Sequence, residues 1–284
     1  MTSSFYACRP MRAEEVPLAL DWAAEEGWNP GLADAAAFTA LDPEGFWLGT
    51  LDGTPAACIS AVRYGDAFAF VGFYIVRPEL RSRGLGLALW QAALAQLGDR
   101  CVGLDGVVAQ QDNYRKSGFV LARRNIRFGA AAPAVPEAPA GIAIVPATEI
   151  PFDAVAAYDR RCFEADRAPF LRPWLSSPGH TALAALRDGA LAGYAVLRPC
   201  RSGSKIGPLF ANDAAVAEAL FAAAVAQKPE GPLFLDIPET NRAGIAMAEA
   251  AGMTPAFETA RMYTRPPPAT ELAKIFGVTS FELG

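Results

Sequence analysis

Residues 81–86 read Arg81-Ser82-Arg83-Gly84-Leu85-Gly86, a composition suited to holding an anion. Arg81 and Arg83 carry charge complementary to phosphate, and Gly84 and Gly86 let backbone approach an oxygen-rich ligand closely. The segment follows an entirely apolar run, AFAFVGFYIV at residues 67–76, and opens an amphipathic stretch over residues 84–97. Strand, loop and helix in that order leave free N–H groups at the positive end of a helix dipole, where phosphate binds. The plainer alternative is a glycine turn with solvated arginines; the strand–loop–helix context favours the anion site. It is not a dinucleotide G-x-G-x-x-G loop, because Leu89 stands where the third glycine would be. Downstream, Tyr114 in Tyr-Arg-Lys-Ser-Gly-Phe offers a phenol that can give up a proton, or a ring that packs a helix on a sheet. His180 is the one histidine, and no G-x-S-x-G elbow accompanies it, so a Ser-His-Asp hydrolase or multi-histidine metal centre is not expected.

The elements that must position these groups can be read from periodicity. Residues 5–11 read as a strand. Residues 13–27 form a helix with Val16, Leu20 and Ala23 on one face, stopped by Gly27, and a short helix follows at 34–41. Strands at 46–51 and 56–64 flank the hairpin turn Asp52-Gly53. The run 67–76 is a central strand buried on both faces, ended by Pro78. After the helix at 84–97 come a strand at 102–107, a short helix at 112–117 and a strand at 119–128. The fold class is α/β (α+β), a mixed sheet flanked by helices.

The second half repeats the first. LDGTPAACISAVRY (51–64) resembles RDGALAGYAVLRPC (187–200), and residues 104–128 resemble 235–262. In the second pair Leu-Asp ends a strand, a helix leads to Gly-Phe or Gly-Met, and an arginine stands eight residues after that Phe or Met. Two matches in the same order argue for internal duplication. The Ala/Pro-rich segment 130–141, AAAPAVPEAPAG, reads as a semi-rigid spacer. The expected organisation is a first domain over 1–130, a linker over 131–141, a second domain over 142–265 and a tail over 266–284. A short helix is expected at 271–276.

Bulk properties narrow the function further. The 284 residues are 52% hydrophobic and 19% charged, enough for two average domains. No apolar run approaches the roughly 20 residues of a membrane span, and MTSSFYACRPMRAEE lacks the pattern of a secretory leader. Five scattered cysteines without a CxxC pair suit reduced thiols in a cytoplasm, not disulfides or zinc. With a net charge of −5 and no basic run, nucleic-acid binding is not expected.

R-x-x-G-x-G after an apolar strand ending in V-x-P, followed by Y-x-x-x-G-F, resembles the GNAT (GCN5-related) N-acetyltransferases. The resemblance covers residues 5–129 well and 141–264 as a degenerate second copy, the tandem arrangement known in some branches of that family. It implies two tandem domains, each a mixed, mainly antiparallel twisted sheet flanked by helices. It also implies acetyl-CoA as acyl donor, splayed between diverging strands, and no metal. The pyrophosphate would lie on the amides of Arg81, Ser82, Arg83, Gly84, Leu85, Gly86 and Leu87. The pantetheine would pair with the backbone of Tyr74, Ile75 and Val76, where an N–H would polarise the thioester carbonyl. Tyr114 matches the tyrosine that protonates the departing thiolate, and Asn113 would bond the pantetheine or cap a helix.

The general base is left open. The central strand carries no glutamate, and Asp105, Glu25, Glu26 and Asp34 are candidates beside a water-mediated path, although each reads more simply as a solvated surface acid or a cap; Glu26 and Asp105 are also placed on the acceptor side. Trp28 and Asn29, in a loop where the family contacts its acceptor, would supply an apolar wall and a polar handle, or else core and turn. The second copy has neither glycines nor arginines in Phe-Ala-Asn-Asp-Ala-Ala (210–215), and Ala248 stands where the tyrosine would be. That copy is expected to bury sheet and shape the acceptor pocket, with Arg198, Arg201 and Lys205 either solvated or facing an anionic acceptor. Three functions remain: acetylation of a small-molecule amine, an acyl-CoA-binding module without catalysis, and acetylation of a protein N-terminus or lysine. A cytoplasmic monomer or homodimer is expected.

Overall fold

The computed structural model describes residues 5–137 and 139–284. Its first half runs β1 (Tyr6–Pro10), α1 (Val16–Glu25), α2 (Asp34–Leu41), β2 (Phe46–Leu51), β3 (Thr54–Tyr64), β4 (Phe68–Val76), α3 (Leu85–Ala95), β5 (Cys101–Val107), α4 (Gln111–Lys116) and β6 (Val120–Ala130). The same order then repeats as β7 (Ile142–Pro146), α5 (Phe152–Cys162), α6 (Ala168–Ser176), β8 (Thr181–Arg187), β9 (Ala190–Pro199), β10 (Ser204–Ala211), α7 (Ala214–Gln227), β11 (Leu233–Pro238), α8 (Arg242–Ala250) and β12 (Thr254–Tyr263). A short β13 (Ile275–Gly277) follows.

Local chemistry sets the boundaries. Residues 13–15 make a separate 3-10 turn before α1, because Pro17 lies in the first turn of the α-helix. Asp52-Gly53 and Asp188-Gly189 both have positive φ at their two turn positions, +50° and +80° in the first and +52° and +77° in the second, the backbone that twisted hairpins favour. The helix expected at 271–276 is absent. Residues 272–274 form a single 3-10 turn, and β13 pairs antiparallel with β10. Ile275 and Phe276 are buried, and β-branched and aromatic side chains suit a strand there.

All twelve repeat strands join one sheet in the order β1-β2-β3-β4-β5-β12-β6-β11-β10-β9-β8-β7. Pairing is antiparallel except between β4 and β5 and between β10 and β11. The order is symmetric about the middle, with one exchange: β12 lies against β5 of the first copy, and β6 lies against β11 of the second. The arginines that mark the repeat explain how the exchange is held. Arg261 is in register with Asp105 across β12–β5, and Arg127 with Asp236 across β6–β11. Each guanidinium grips its carboxylate with two N–H groups, and all four side chains are buried. Burial alone would raise the Asp236 carboxyl pKa, but the Arg127 guanidinium holds it below its ordinary value.

Helices of both copies share one core on a face of this sheet. Phe38 of α2 stacks on Trp174 of α6 with ring centres 5.9 Å apart, and α2 packs along α6. Two further cores lie beneath α3 and α7. Among the described residues no helix is long and apolar enough to cross a membrane.

Candidate active site

The sheet opens between β4 and β5. Residues 68–71 pair in parallel with 101–104, and the pairing stops there. At Gly72–Phe73 the register of β4 with β3 slips, and Phe73 takes φ +47°, a conformation a phenylalanine rarely adopts. The Cys58 thiol donates to the Phe73 carbonyl at 3.2 Å and pins this bulge. Past it β4 swings away from β5, leaving a cleft of about 1310 Å³ whose walls include Tyr74, Ile75 and Val76 on one side and Asp105, Gly106 and Val107 on the other.

The cradle loop closes one end. Ser82 and Gly84 have φ +62° and +79°, and the first bond into α3 is Ala88 N–H to the Gly84 carbonyl at 3.1 Å. The N–H groups of residues 82–87 have no protein acceptor among the described residues, so six consecutive amides at a helix N-terminus are free for an anion. Gly84 is required by its left-handed φ. Gly86 is required by packing, since a Cβ there would lie 2.7 Å from the Tyr74 hydroxyl and 2.8 Å from Val76 Cγ2. Arg81 is tied inward, its Nε donating to the Val76 carbonyl at 3.0 Å and its Nη2 pairing with Glu26. Arg83 is exposed, and Leu87 lies on the cleft wall.

Tyr114 and Asn113 line the same cleft. The Tyr114 ring lies flat across β5, where a Cβ on Gly106 would stand 2.2 Å from its Cε2; only glycine at 106 admits it. Trp90 of α3 holds the other face, with ring centres 5.8 Å apart. Burial, with a smaller contribution from Tyr74, pushes the Tyr114 phenol up to about 12, so it keeps its proton at neutral pH. Asn113 donates to Gln110 and accepts from Lys116, which orients its amide at the cleft edge.

The acceptor-side candidates separate. Trp28 lines the cleft, and its carbonyl accepts from Arg127 Nη1 at 2.9 Å. Asn29 is turned away, exchanging two hydrogen bonds with the backbone of Ser202 in the second copy. Glu26 sits at the mouth with Arg81, and Glu25 is exposed. Asp105 is committed: its carboxylate accepts from Arg261, Asn125 and Thr259, which leaves it an anchor for β12 and not a free base. Asp34 is buried against Arg198 at 3.1 Å, outside the cleft. Arg198 and Lys205 are buried between the halves, facing Asp34 and the Trp28 carbonyl, while Arg201 is exposed and pairs with Asp21 across the two copies. His180 bonds the Trp174 carbonyl at 2.8 Å, and burial lowers its pKa. Residues 5–129 alone did not point to Phe257, Thr259, Phe281 and Glu282, which come from the second half to floor the cleft.

The equivalent site in the second copy is closed twice over. Asp213 caps α7 with its own carboxylate, accepting from Val216 N–H at 3.1 Å, and so fills the place of an anion. Where β10 leaves β11, β13 pairs with β10, and Val278 N–H donates to the Asp236 carbonyl at 2.8 Å. The chain's own strand lies where the first copy has open space.

A parallel strand pair that parts at a bulge, beside a bare amide cradle, is the architecture of an acyl-CoA-dependent acyltransferase. Residues 13–119 match the model of the acetyltransferase (GNAT) family, and residues 155–277 match a second model, an acetyltransferase (GNAT) domain. The chain belongs to the GNAT acyltransferase family. It is 34% identical over 280 residues to the holothin acyltransferase of Pseudoalteromonas sp. (strain SANK 73390), covering 98% of this chain and 95% of that one. Its fold is similar to that of a candidate acetyltransferase from Pyrococcus horikoshii (TM-score 0.82, 19% identity, 98% of this chain and 96% of that one). It is also similar to a tandem GNAT protein of the clavulanic acid biosynthesis pathway (TM-score 0.64, 19% identity, 92% and 99%).

Proposed function

We propose that this protein is a cytoplasmic N-acetyltransferase that moves an acetyl group from acetyl-CoA to a primary amine of a small molecule by direct attack. The observation that carries this reading is the cleft itself, with six free amides at one end and a floor of aromatic residues drawn from both copies and the tail, Trp28, Phe257 and Phe281. An enclosed aromatic floor suits a small acceptor better than a protein segment. The full-length relative is named a holothin acyltransferase, which makes holothin the first acceptor to try.

Acyl-CoA, when bound, supplies the activated acyl group as a thioester. Residues 82–87 hold its pyrophosphate on their amides, with Arg83 adding charge, and Gly86 keeps the loop close to β4. Tyr74, Ile75 and Val76 offer backbone groups to the pantetheine, and an N–H there meets the charge that builds on the carbonyl oxygen. Tyr114 keeps its proton until the sulfur leaves, then gives it up. Asn113 steadies the arm at the cleft edge. The test is a donor-consumption screen over holothin, other amines, amino acids and polyamines with acetyl- and longer acyl-CoA, followed by mass spectrometry of the product. A donor that binds but is never consumed, or that acylates only protein, would replace this reading.

A further inference from the structure

Among the described residues three acidic ones line the cleft, and two have their carboxylates spoken for: Glu26 by Arg81, and Asp105, whose side chain has no accessible surface, by Arg261. The third is Glu282. It is 3% exposed, and its Oε2 is buried with no hydrogen-bond partner. A carboxylate taken out of water is costly unless something meets it, so a residue that lines the cleft with one oxygen unpartnered is poised for a ligand.

Its position is fixed from several sides. The Glu282 carbonyl sits so close to β4 that a Cβ on Gly72 would lie 2.0 Å from it, which places Glu282 on the bulge where β4 turns away from β5. Its neighbours in the chain are clamped: Tyr64 donates to the Leu283 carbonyl at 2.6 Å, and Arg198 donates to the Thr279 carbonyl at 3.2 Å. Phe281 beside it packs under the Arg127 guanidinium at 4.8 Å. The charged groups that act on it are Arg127 on β6, Lys205 on β10 and Arg198 on β9. Arg127 is neutralised by Asp236 and Arg198 faces Asp34. None of them bonds the Glu282 carboxylate.

We infer that Glu282 is the proton acceptor for the amine substrate, a catalytic residue supplied from beyond both repeat copies to the floor of the first copy's cleft. The inference rests on the amine-acylation reading above. In the step, the amine nitrogen bonds the acyl carbon and the C–S bond breaks. The nitrogen's proton passes to the Glu282 carboxylate, and the departing sulfur takes a proton from Tyr114. The carboxylic acid and the phenolate then exchange protons with water at the cleft mouth, which returns both groups to their starting states.

The test compares wild type, Glu282→Gln and Glu282→Asp with the best amine acceptor from the screen, over pH 6 to 10. Glu282→Gln should keep the wild-type affinity for acetyl-CoA within about twofold and melt near wild type, since it removes charge but no volume. Its kcat/KM for the amine should fall about a hundredfold or more at pH 7, the usual contribution of one general base. The deficit should narrow as pH rises, because hydroxide then takes the nitrogen's proton in place of the missing carboxylate. Glu282→Asp should recover part of the rate. A deficit below threefold, or one constant across pH and unrelieved by Asp, would overturn the assignment of Glu282 while leaving amine acylation standing. Absence of amine acylation by the wild type would overturn both.

Discussion

Arg261→Met tests how the cleft wall is held. Arg261 is 2% exposed and gives two N–H groups to Asp105, with Glu164 a further 3.5 Å partner. Methionine fills much of the same volume and removes the charge. Asp105 would then be an ionised carboxylate with no accessible surface, left with one amide from Asn125 and the Thr259 hydroxyl. Breaking a buried pair from one side costs about 3–5 kcal/mol. That is a large part of the 5–15 kcal/mol that ordinary domains possess, and for a chain of this size it corresponds to a fall in Tm of about 6–20 °C. Because Asp105 lies on β5, acyl-CoA should also stabilise the variant less than it does wild type. The double variant Asp105→Asn/Arg261→Met removes the stranded charge and keeps an oxygen for Asn125, so it should regain at least half of the lost stability. The assay is guanidinium unfolding and thermal melting of the three variants beside wild type. A single variant within about 1 kcal/mol of wild type, or a double variant no better than the single, would refute the idea that this pair fastens the exchanged strand.

Other outcomes are equally specific. Tyr114→Phe should lower kcat ten- to a thousandfold with acetyl-CoA affinity and stability little changed. Because the phenol is pushed up to about 12, chiefly by burial, the wild-type rate should show no loss from Tyr114 ionisation below about pH 10; an alkaline limb near pH 9 that vanishes in the Phe variant would contradict this. Calorimetry should find one acetyl-CoA per chain, and Gly84→Glu, which puts a carboxylate and a strained φ at the cradle, should weaken binding at least tenfold; a stoichiometry of two would mean the closed second site opens. Stability should be lost as pH falls from about 4.5 toward 2. Glu15, bonded by Arg9, and Glu271, bonded by Arg161, are both held near 2, and Asp236 is held low by Arg127 against its burial. Carboxyls depressed in the folded state stabilise above their unfolded pKa and lose that contribution through this window, which urea midpoints from pH 2 to 7 would trace.

What was legible in the sequence was what lies close together along it. The cradle at 81–86 was readable because strand, loop and helix are consecutive, and so was the turn at Asp52-Gly53. The reason for Gly86 was not, since it depends on Tyr74 packing against the first turn of α3. Asp105 looked like a free acid because its partner Arg261 stands 156 residues away. Along the sequence the two arginines read only as marks of the repeat, while in space each reaches across to the other copy's aspartate. Asn29 reads as a loop asparagine open to a ligand, but its partner is the backbone of Ser202. Glu282 could not be singled out, because nothing local to residues 278–284 says that they fold under the bulge of β4.

Exchange of β6 and β12 changes what the linker accomplishes. Two separate copies could build this sheet only by lending each other a strand, and the donor cleft would then form and dissolve with dilution. Joined in one chain, the lending becomes intramolecular. Effective concentrations for such tethered pairings reach the millimolar range with short flexible linkers, so β12 stays on β5 at any protein concentration. A fragment of residues 1–130 would lack the strand that covers β5, and unless its own β6 turned back onto β5 it would borrow one from another molecule, so that its hold on acyl-CoA would vary with how much of it was in the tube.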